Sequence, residues 1–277
     1  MKKIVTSALV SAALLLIALA SPAQQRIDEK RPASPAGLVA VSNLAGSVVV
    51  KGWDKAEVAV TGTLGKGSER LEFEVSGDRT TIKVVLPKHA HDVDGSDLEI
   101  RVPAGSRLDV DTVSADITAS ELTGSLTIQT VSGEVSAAGP AKDVNAQSVS
   151  GGIKVDAGAA QISAKTVSGT VTVKSASPQN VEMESVSGDL RFEGGLAQGG
   201  AFRASTVSGS VDAALPSDLA ADFSLGTFSG DLRSAFGDNS TARPEDHSGK
   251  RLSFTTGSGG SRVKIKTFSG DVTLTKR

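Results

Sequence analysis

The densest run of reactive side chains is His89-Ala90-His91-Asp92-Val93-Asp94-Gly95-Ser96-Asp97, with two imidazoles and three carboxylates in nine residues. Histidine and aspartate are natural ligands of divalent metals, and in an extended chain His89 and His91 share one side. The Asp-x-Asp-Gly part falls short of a calcium loop, which needs a Glu twelve residues from its first ligand. The plainer reading of His89, His91, Asp92, Asp94 and Asp97 is a hydrated acidic turn between strands, so no metal or other cofactor is expected. A second group, Asp116, Glu134, Asp189, Asp231 and Asp271, recurs just after a Ser-Gly or Ser-Ala pair. Stacked strands would line these acids along one edge, and a sugar hydrolase needs two carboxylates about 5 to 9.5 Å apart. Asp also favours turns in its own right, and charge keeps strand edges from mispairing. A third group is the serine of those pairs: Ser114, Ser132, Ser150, Ser168, Ser187, Ser208, Ser229 and Ser269. A nucleophilic serine needs a positioned base, and His89, His91 and His247 all fall outside the repeated segments. These serines therefore read as a structural hydrogen-bond ladder, and no catalytic residue is expected.

What would position these groups is the repeat itself. Thr130-Val131-Ser132-Gly133-Glu134-Val135 recurs with small changes, up to Thr267-Phe268-Ser269-Gly270-Asp271-Val272. The Val or Phe positions are 113, 131, 149, 167, 186, 207, 228 and 268, at spacings of 18, 18, 18, 19, 21, 21 and 40 residues. Such periods mark a solenoid, in which a unit too small to bury its own apolar face stacks on the next. Alternations such as Val144-x-Ala146 before the pair and Ile153-x-Val155 after it mark strands with one buried side. Gly133, Gly151, Gly169, Gly188, Gly209, Gly230 and Gly270 mark the corner between them, where glycine alone adopts positive φ freely. Ala115 departs from that pattern and predicts a less tight corner. The fold class is all-β, a parallel β-solenoid with rungs of 18 to 21 residues. Nine rungs stacked at ~4.8 Å would give a rod of roughly 40 Å. The 40-residue gap is read as a degenerate rung near Leu252 to Gly260 plus a loop at 237–250.

The ends and the composition bound the rest. Lys2-Lys3, an apolar run from Ile4 to Ala20 and Ser21-Pro22-Ala23 read as a cleaved signal peptide over residues 1–23. Residues 24–36 read as a flexible leader, 37–103 as an N-terminal β-region capping the solenoid, and 104–277 as the solenoid. No later stretch is apolar enough to span a bilayer as a helix, so the expected location is the periplasm or beyond the cell. There is no cysteine, so neither a lipoprotein anchor nor a disulfide can form. Net charge is −2, falling to −4 once Lys2 and Lys3 leave with the signal, with both signs interspersed. Nucleic-acid binding would call for a basic patch, and the interspersed charges offer none, so no nucleic-acid partner is expected. One tryptophan, Trp53, and no tyrosine leave few stacking platforms for a sugar pocket, and Trp53 itself reads as sealing the cap.

Val48-Val49-Val50-Lys51-Gly52-Trp53-Asp54, then Ile100-Arg101-Val102-Pro103-Ala104-Gly105, then the closing Lys266-Thr267-Phe268-Ser269-Gly270-Asp271-Val272 come in a telling order. From about Gly37 to the C-terminus the chain resembles the bacterial putative-adhesin family of exported β-solenoid proteins, a domain of unknown function. The resemblance implies a β-solenoid at or outside the membrane, linked to adhesion or to envelope stress. It supplies no catalytic residues. The expected function is a non-enzymatic envelope module binding a protein or glycan along the solenoid face. The alternatives are a polysaccharide-active enzyme using the acidic edge and a purely structural rod. The chain stops just after the last copy of the repeat, which predicts end-to-end self-association through that C-terminal rung.

Overall fold

A computed structural model describes residues 25–88, 93–237, 243–244 and 249–277. These residues contain strands and no helix. In the middle of the chain each repeat gives a long strand ending at the Ser of the Ser-Gly pair, then a short one. The long strands are β8 (Ser125–Ser132), β10 (Asp143–Ser150), β12 (Gln161–Ser168), β14 (Asn180–Ser187) and β16 (Ala201–Ser208). The short ones are β9 (Val135–Gly139), β11 (Ile153–Ala157), β13 (Val171–Ser175), β15 (Leu190–Gly194) and β17 (Val211–Leu215). Each long strand pairs in parallel with the next long strand, placing Leu126, Val144, Ile162, Val181 and Phe202 in one column. The short strands do the same with Val135, Ile153, Val171, Leu190 and Val211. The long strands build one sheet face, A, and the short strands the other, B; a turn closes each rung. Inward residues of both faces make one continuous buried core, which fixes the register, because a one-residue slip would turn every apolar side chain outward.

The corner is held by main chain. The N–H groups of Gly151, Gly169 and Gly188 donate to the carbonyls of Ser168, Ser187 and Ser208 on the next rung, at 3.1, 3.3 and 3.0 Å. A Cβ on any of these glycines would lie 2.0 to 2.4 Å from the carbonyl oxygen of the glycine one rung earlier. The ladder of glycines is therefore steric: each backbone occupies the space a side chain would need. At Ala115 the chain instead runs through the corner as one unbroken strand, β7 (Arg107–Ser120).

The inward phase carries a polar column as well. Stepping by two from Val144 and Ala146 reaches Ser148, and Thr112, Thr130, Ser148, Thr166, Ser185, Thr206, Thr227 and Thr267 are all buried. Thr206, Thr267 and Thr227 donate Oγ1–H to the carbonyls of Gly188, Gly209 and Gly270 at 3.2, 3.1 and 2.9 Å. This is the side-chain ladder of the corner. The serines after the Val, expected to form it, are exposed; only their carbonyls take part. Ser148 and Ser185 hold buried hydroxyls without a partner, since serine lacks the methyl that fixes the threonine rotamer. Thr206→Ala is expected to cost about 1 to 2 kcal/mol through the lost bond and methyl. Ser148→Ala is expected to leave stability nearly unchanged, and urea unfolding of the two variants checks the contrast.

At the N-terminal end the array starts earlier than position 104. Strand β2 (Leu38–Trp53) pairs with β7 from Leu38 to Lys51, with Asn43 opposite Thr112, Gly46 opposite Ala115 and Val48 opposite Ile117. Asn43-Leu44-Ala45-Gly46-Ser47-Val48 is thus a further copy of the repeat. Strands β5 (Arg79–Val85) and β6 (Ser96–Pro103) pair in parallel with its two halves. Beyond them the pairing turns antiparallel: β4 (Arg70–Ser76) on β5, β3 (Glu57–Leu64) on β6, and β1 (Gln25–Pro32) on β3. The expected flexible leader is corrected accordingly. Its residues 25–32 form β1, in which Ile27 is the one buried side chain; a charged strand ended by proline is how an edge avoids further pairing. The signal peptide expected over residues 1–23 lies outside the described residues.

The C-terminal end corrects two further expectations. Strand β22 (Ser261–Ser269) inserts between β16 and β18 (Ala221–Ser229), and β23 (Val272–Lys276) inserts between β17 and β19 (Leu232–Ser234). The last rung in sequence is the penultimate one in space. Both its edges are paired, so it offers no free end for end-to-end association. The segment near Leu252 is no degenerate rung either: β21 (Lys250–Thr255) runs antiparallel on β18, with β20 (Arg243–Pro244) outside it. Leu252 lies opposite Leu225, and Phe254 stacks on Phe223 at 4.6 Å. Alternation of this kind reads the same in either strand direction. Most of the loop expected at 237–250, His247 included, lies outside the described residues.

Candidate functional site

Because the Thr/Ser column takes the inward phase, the residue after it must point out. Leu44, Val113, Val131, Val149, Val167, Val186, Val207, Phe268 and Phe228 follow one another up the stack, from 37% exposed at Leu44 to 56% at Phe268. They account for all the exposed large hydrophobics among the described residues. Scattered apolar residues on a surface need no explanation, whereas a contiguous apolar patch marks contact. The ridge ends in an aromatic pair, Phe228 and Phe268, stacked 4.8 Å apart and 5° from parallel.

Beside the ridge runs a furrow of about 670 Å³, walled on one side by Val131, Val149, Val167 and Val186 and on the other by Gln129, Gln147 and Lys165. A second furrow of about 520 Å³, lined by Thr127, Asn145, Gln161, Ser163 and Asn180 among others, lies further across face A. The middle of face A is mostly amide and hydroxyl, with Asp143, Lys165, Glu182 and Glu184 among them. The other outward charges stand towards the two ends: Arg107, Asp109 and Asp111 on β7, and Arg203, Arg262, Lys264, Lys266 and Asp222 on β16, β22 and β18. Asp109, Asp111, Arg203, Lys264 and Lys266 belong to no ion pair among the described residues. Only Lys165, bound to Glu182 at 3.0 Å and Glu184 at 3.1 Å, is compensated within the face. Face B differs: Lys174 meets Glu193 at 2.7 Å, and Arg233 bridges Asp231 and Asp271 at 3.1 and 3.3 Å.

Desolvation, with the Asp109 charge beside it, raises the pKa of Asp111. A carboxyl raised in the folded state costs nothing below its unfolded pKa of about 3.9, and the penalty builds as pH rises through the folded value. Asp111→Asn should therefore stabilise the chain at pH 7, by only a few tenths of a kcal/mol for so exposed a group. The gain should vanish near pH 3, as paired thermal melts at the two pH values would show.

The acidic edge is occupied by structural work. Asp116 Oδ1 accepts the N–H of Glu134 at 2.8 Å, and Glu134 Oε1 that of Gly152 at 3.2 Å. Asp189 Oδ1 accepts the N–H of Ser210 at 3.0 Å, and Asp271 Oδ1 that of Asp231 at 2.9 Å. Each acid closes the corner of the neighbouring rung, satisfying an amide that the strand break leaves open. Asp231 is bound by Lys250 at 2.7 Å. That bond, with the charges of Lys250 and Arg233, lowers its pKa, the wrong direction for a group that must donate a proton.

Of the metal-ligand candidates, His89, His91 and Asp92 lie outside the described residues. Asp97 is exposed and accepts the Ser47 hydroxyl at 2.7 Å. The main-chain N–H of Asp94 donates to the Lys66 carbonyl at 2.9 Å. No cluster of three or more ligand groups occurs among the described residues. Trp53 donates Nε1–H to the Glu57 carbonyl at 2.8 Å and lies under Lys55, tying the β2–β3 turn. The ridge was the feature hardest to read from sequence, although its signal was present in the phase of the preceding alternation.

A family model described as Toastrack DUF4097 matches residues 40–275. A solved structure described as a putative adhesin from Bacteroides fragilis superposes with a TM-score of 0.54 at 12% identity, covering 91% of this chain and 98% of that one. A putative lipid binding protein from Parabacteroides distasonis is 15% identical with a TM-score of 0.42, over 90% and 96% of the two chains. A putative cell adhesion protein from Clostridium sporogenes is 11% identical with a TM-score of 0.30, over 91% and 100%. No curated protein matches the chain by sequence. At these identities the likeness to solved structures concerns the fold.

Proposed function

The chain belongs to the Toastrack DUF4097 family, and from that premise we propose that it is an exported, non-enzymatic module of the cell envelope that engages an extended protein or glycan partner along face A. The observation that carries this reading is the gathering of the exposed large hydrophobics into one ridge beside a polar furrow. A purely structural rod has no use for such a surface, which is costly in water at about 25 cal/mol per Å². A polysaccharide-active enzyme would need free carboxylates, and Asp116, Glu134, Asp189 and Asp271 each spend an oxygen on a backbone amide. Extended solenoid surfaces suit large ligands.

The test is co-sedimentation of the mature chain with peptidoglycan, outer-membrane vesicles and whole cells, with released sugar assayed in the same tubes. Saturable binding without sugar release is expected, and Val149→Asp combined with Val186→Asp should abolish it while leaving the thermal midpoint within a few degrees. Sugar release that disappears in Asp189→Asn and Asp231→Asn would establish the enzyme instead. Binding indifferent to the ridge variant would remove face A from the function.

A further inference from the structure

Face A is arranged symmetrically about its middle rung. The long strands stand in the spatial order β2, β7, β8, β10, β12, β14, β16, β22, β18. Strand β12 has four rungs on either side. Asp109 and Asp111, in no ion pair, lie on β7 with Arg107 at its outer edge, one rung in from the end, and Lys264 and Lys266 lie with Arg262 on β22, one rung in from the other end. Asp111 and Lys266 occupy the same outward column, as do Asp109 and Lys264. Resting on the reading of face A as the contact surface, we propose that its partner is a second copy of this chain, laid face to face with the stack inverted about a two-fold axis along β12.

That axis keeps the strand direction and reverses the rung order, so each column meets itself. Asp111 then faces Lys266 of the second copy and Asp109 faces its Lys264, each twice by symmetry. The ridge meets the ridge: Val167 lies on the axis, Val149 opposes Val186, Val113 opposes Phe268, and Leu44 opposes Phe228. An interface that is its own complement is what a two-fold dimer requires. Its size is adequate: nine rungs at ~4.8 Å and four outward columns spanning ~20 Å give roughly 800 Å² per chain, the area typical of a stable complex. Three like-charge contacts arise: Arg107 with Arg262 in the outermost column, Lys165 with itself on the axis and, one strand outside the nine, Lys83 of β5 with Arg251 of β21. The first sits at the rim, where solvent screens it, and the second is already neutralised by Glu182 and Glu184. The raised pKa of Asp111 fits a carboxylate awaiting a cation.

Sedimentation equilibrium of the mature chain should give the mass of two copies. Asp109→Lys with Asp111→Lys, and separately Lys264→Glu with Lys266→Glu, should each raise the dissociation constant at least about tenfold by placing like charges opposite one another. Mixing the two variants should restore the dimer as a one-to-one heterodimer, because both charged contacts are then opposite in sign. A dimer untouched by either swap, or variants that fail to pair on mixing, would overturn the inverted register. A chain that stays monomeric throughout would overturn the second copy. If that monomer still loses envelope co-sedimentation on Val149→Asp with Val186→Asp, face A keeps its contact role with another occupant; if it does not, both readings fall.

Discussion

Gly169→Ala is expected to lower stability by about 3 kcal/mol or more and to shift the urea midpoint accordingly. Gly169 has φ +144°, a conformation that L side chains rarely adopt, and its new Cβ would lie 2.4 Å from the Gly151 carbonyl oxygen. Relief would require the two rungs to part, but the same two rungs are tied by the Gly151 N–H to Ser168 carbonyl bond at 3.1 Å. Strain and a lost hydrogen bond therefore add, and no flexible side chain is present to give way. Gly158→Ala is the matched control. A Cβ there meets nothing within 4 Å, so that substitution should be neutral or slightly stabilising through the unfolded chain.

Phe202→Ala should cost about 3 to 5 kcal/mol. Phe202 is fully buried, lies between Val181 and Val263 in its column, and stacks on Phe192 from the opposite face at 4.6 Å. Around most cavities the neighbours relax inward; here backbone hydrogen bonds between rungs hold Val181 and Val263 at their stations, so the upper part of the range is expected. Phe202→Leu keeps most of the volume and should cost about 1.5 kcal/mol or less. Chemical denaturation of the three proteins side by side measures both differences. An alanine variant losing under ~1 kcal/mol would show that the interior collapses around the gap, against the rigidity argued for it.

The rungs were legible because every unit repeats the same physical problem: alternation to bury, a small corner to turn. The fold class rests on that repetition and the family expectation on the order of the three blocks around it, and the Toastrack match over residues 40–275 covers both. The first rung was hidden because Asn43, Leu44 and Ala45 stand where Thr, Val and Ser stand elsewhere, leaving Gly46-Ser47-Val48 as its only familiar part. Neighbour order was hidden for the opposite reason. Thr227-Phe228-Ser229-Gly230-Asp231-Leu232 and Thr267-Phe268-Ser269-Gly270-Asp271-Val272 fit the edge of β16 equally well as patterns, so nothing local says which one touches it. The ridge was obscured by its own chemistry, since valine among polar residues invites burial. Only the phase set by Val144, Ala146 and Ser148 decides the matter, and it places Val149 outside. Strand β1 escaped notice because Ile27 alone interrupts its charge.

The inverted order of the last two rungs has a bearing on how the molecule is made. A solenoid threaded strictly in sequence can zip up behind the ribosome or the export pore, each rung docking on one already in place. Here the site on β16 cannot receive its final occupant until residues 261–276 have emerged, and the rung built on β18 must wait for, or make way for, a later arrival. Contacts across this closure join distant parts of the chain, which slows folding. The reward is a clasp: the C-terminal tail ends up gripped on both flanks instead of lying open to fraying or proteases. Trimming residues 261–277 would strip out a keystone, leaving the Phe228 rung and its antiparallel cover with nothing beneath them.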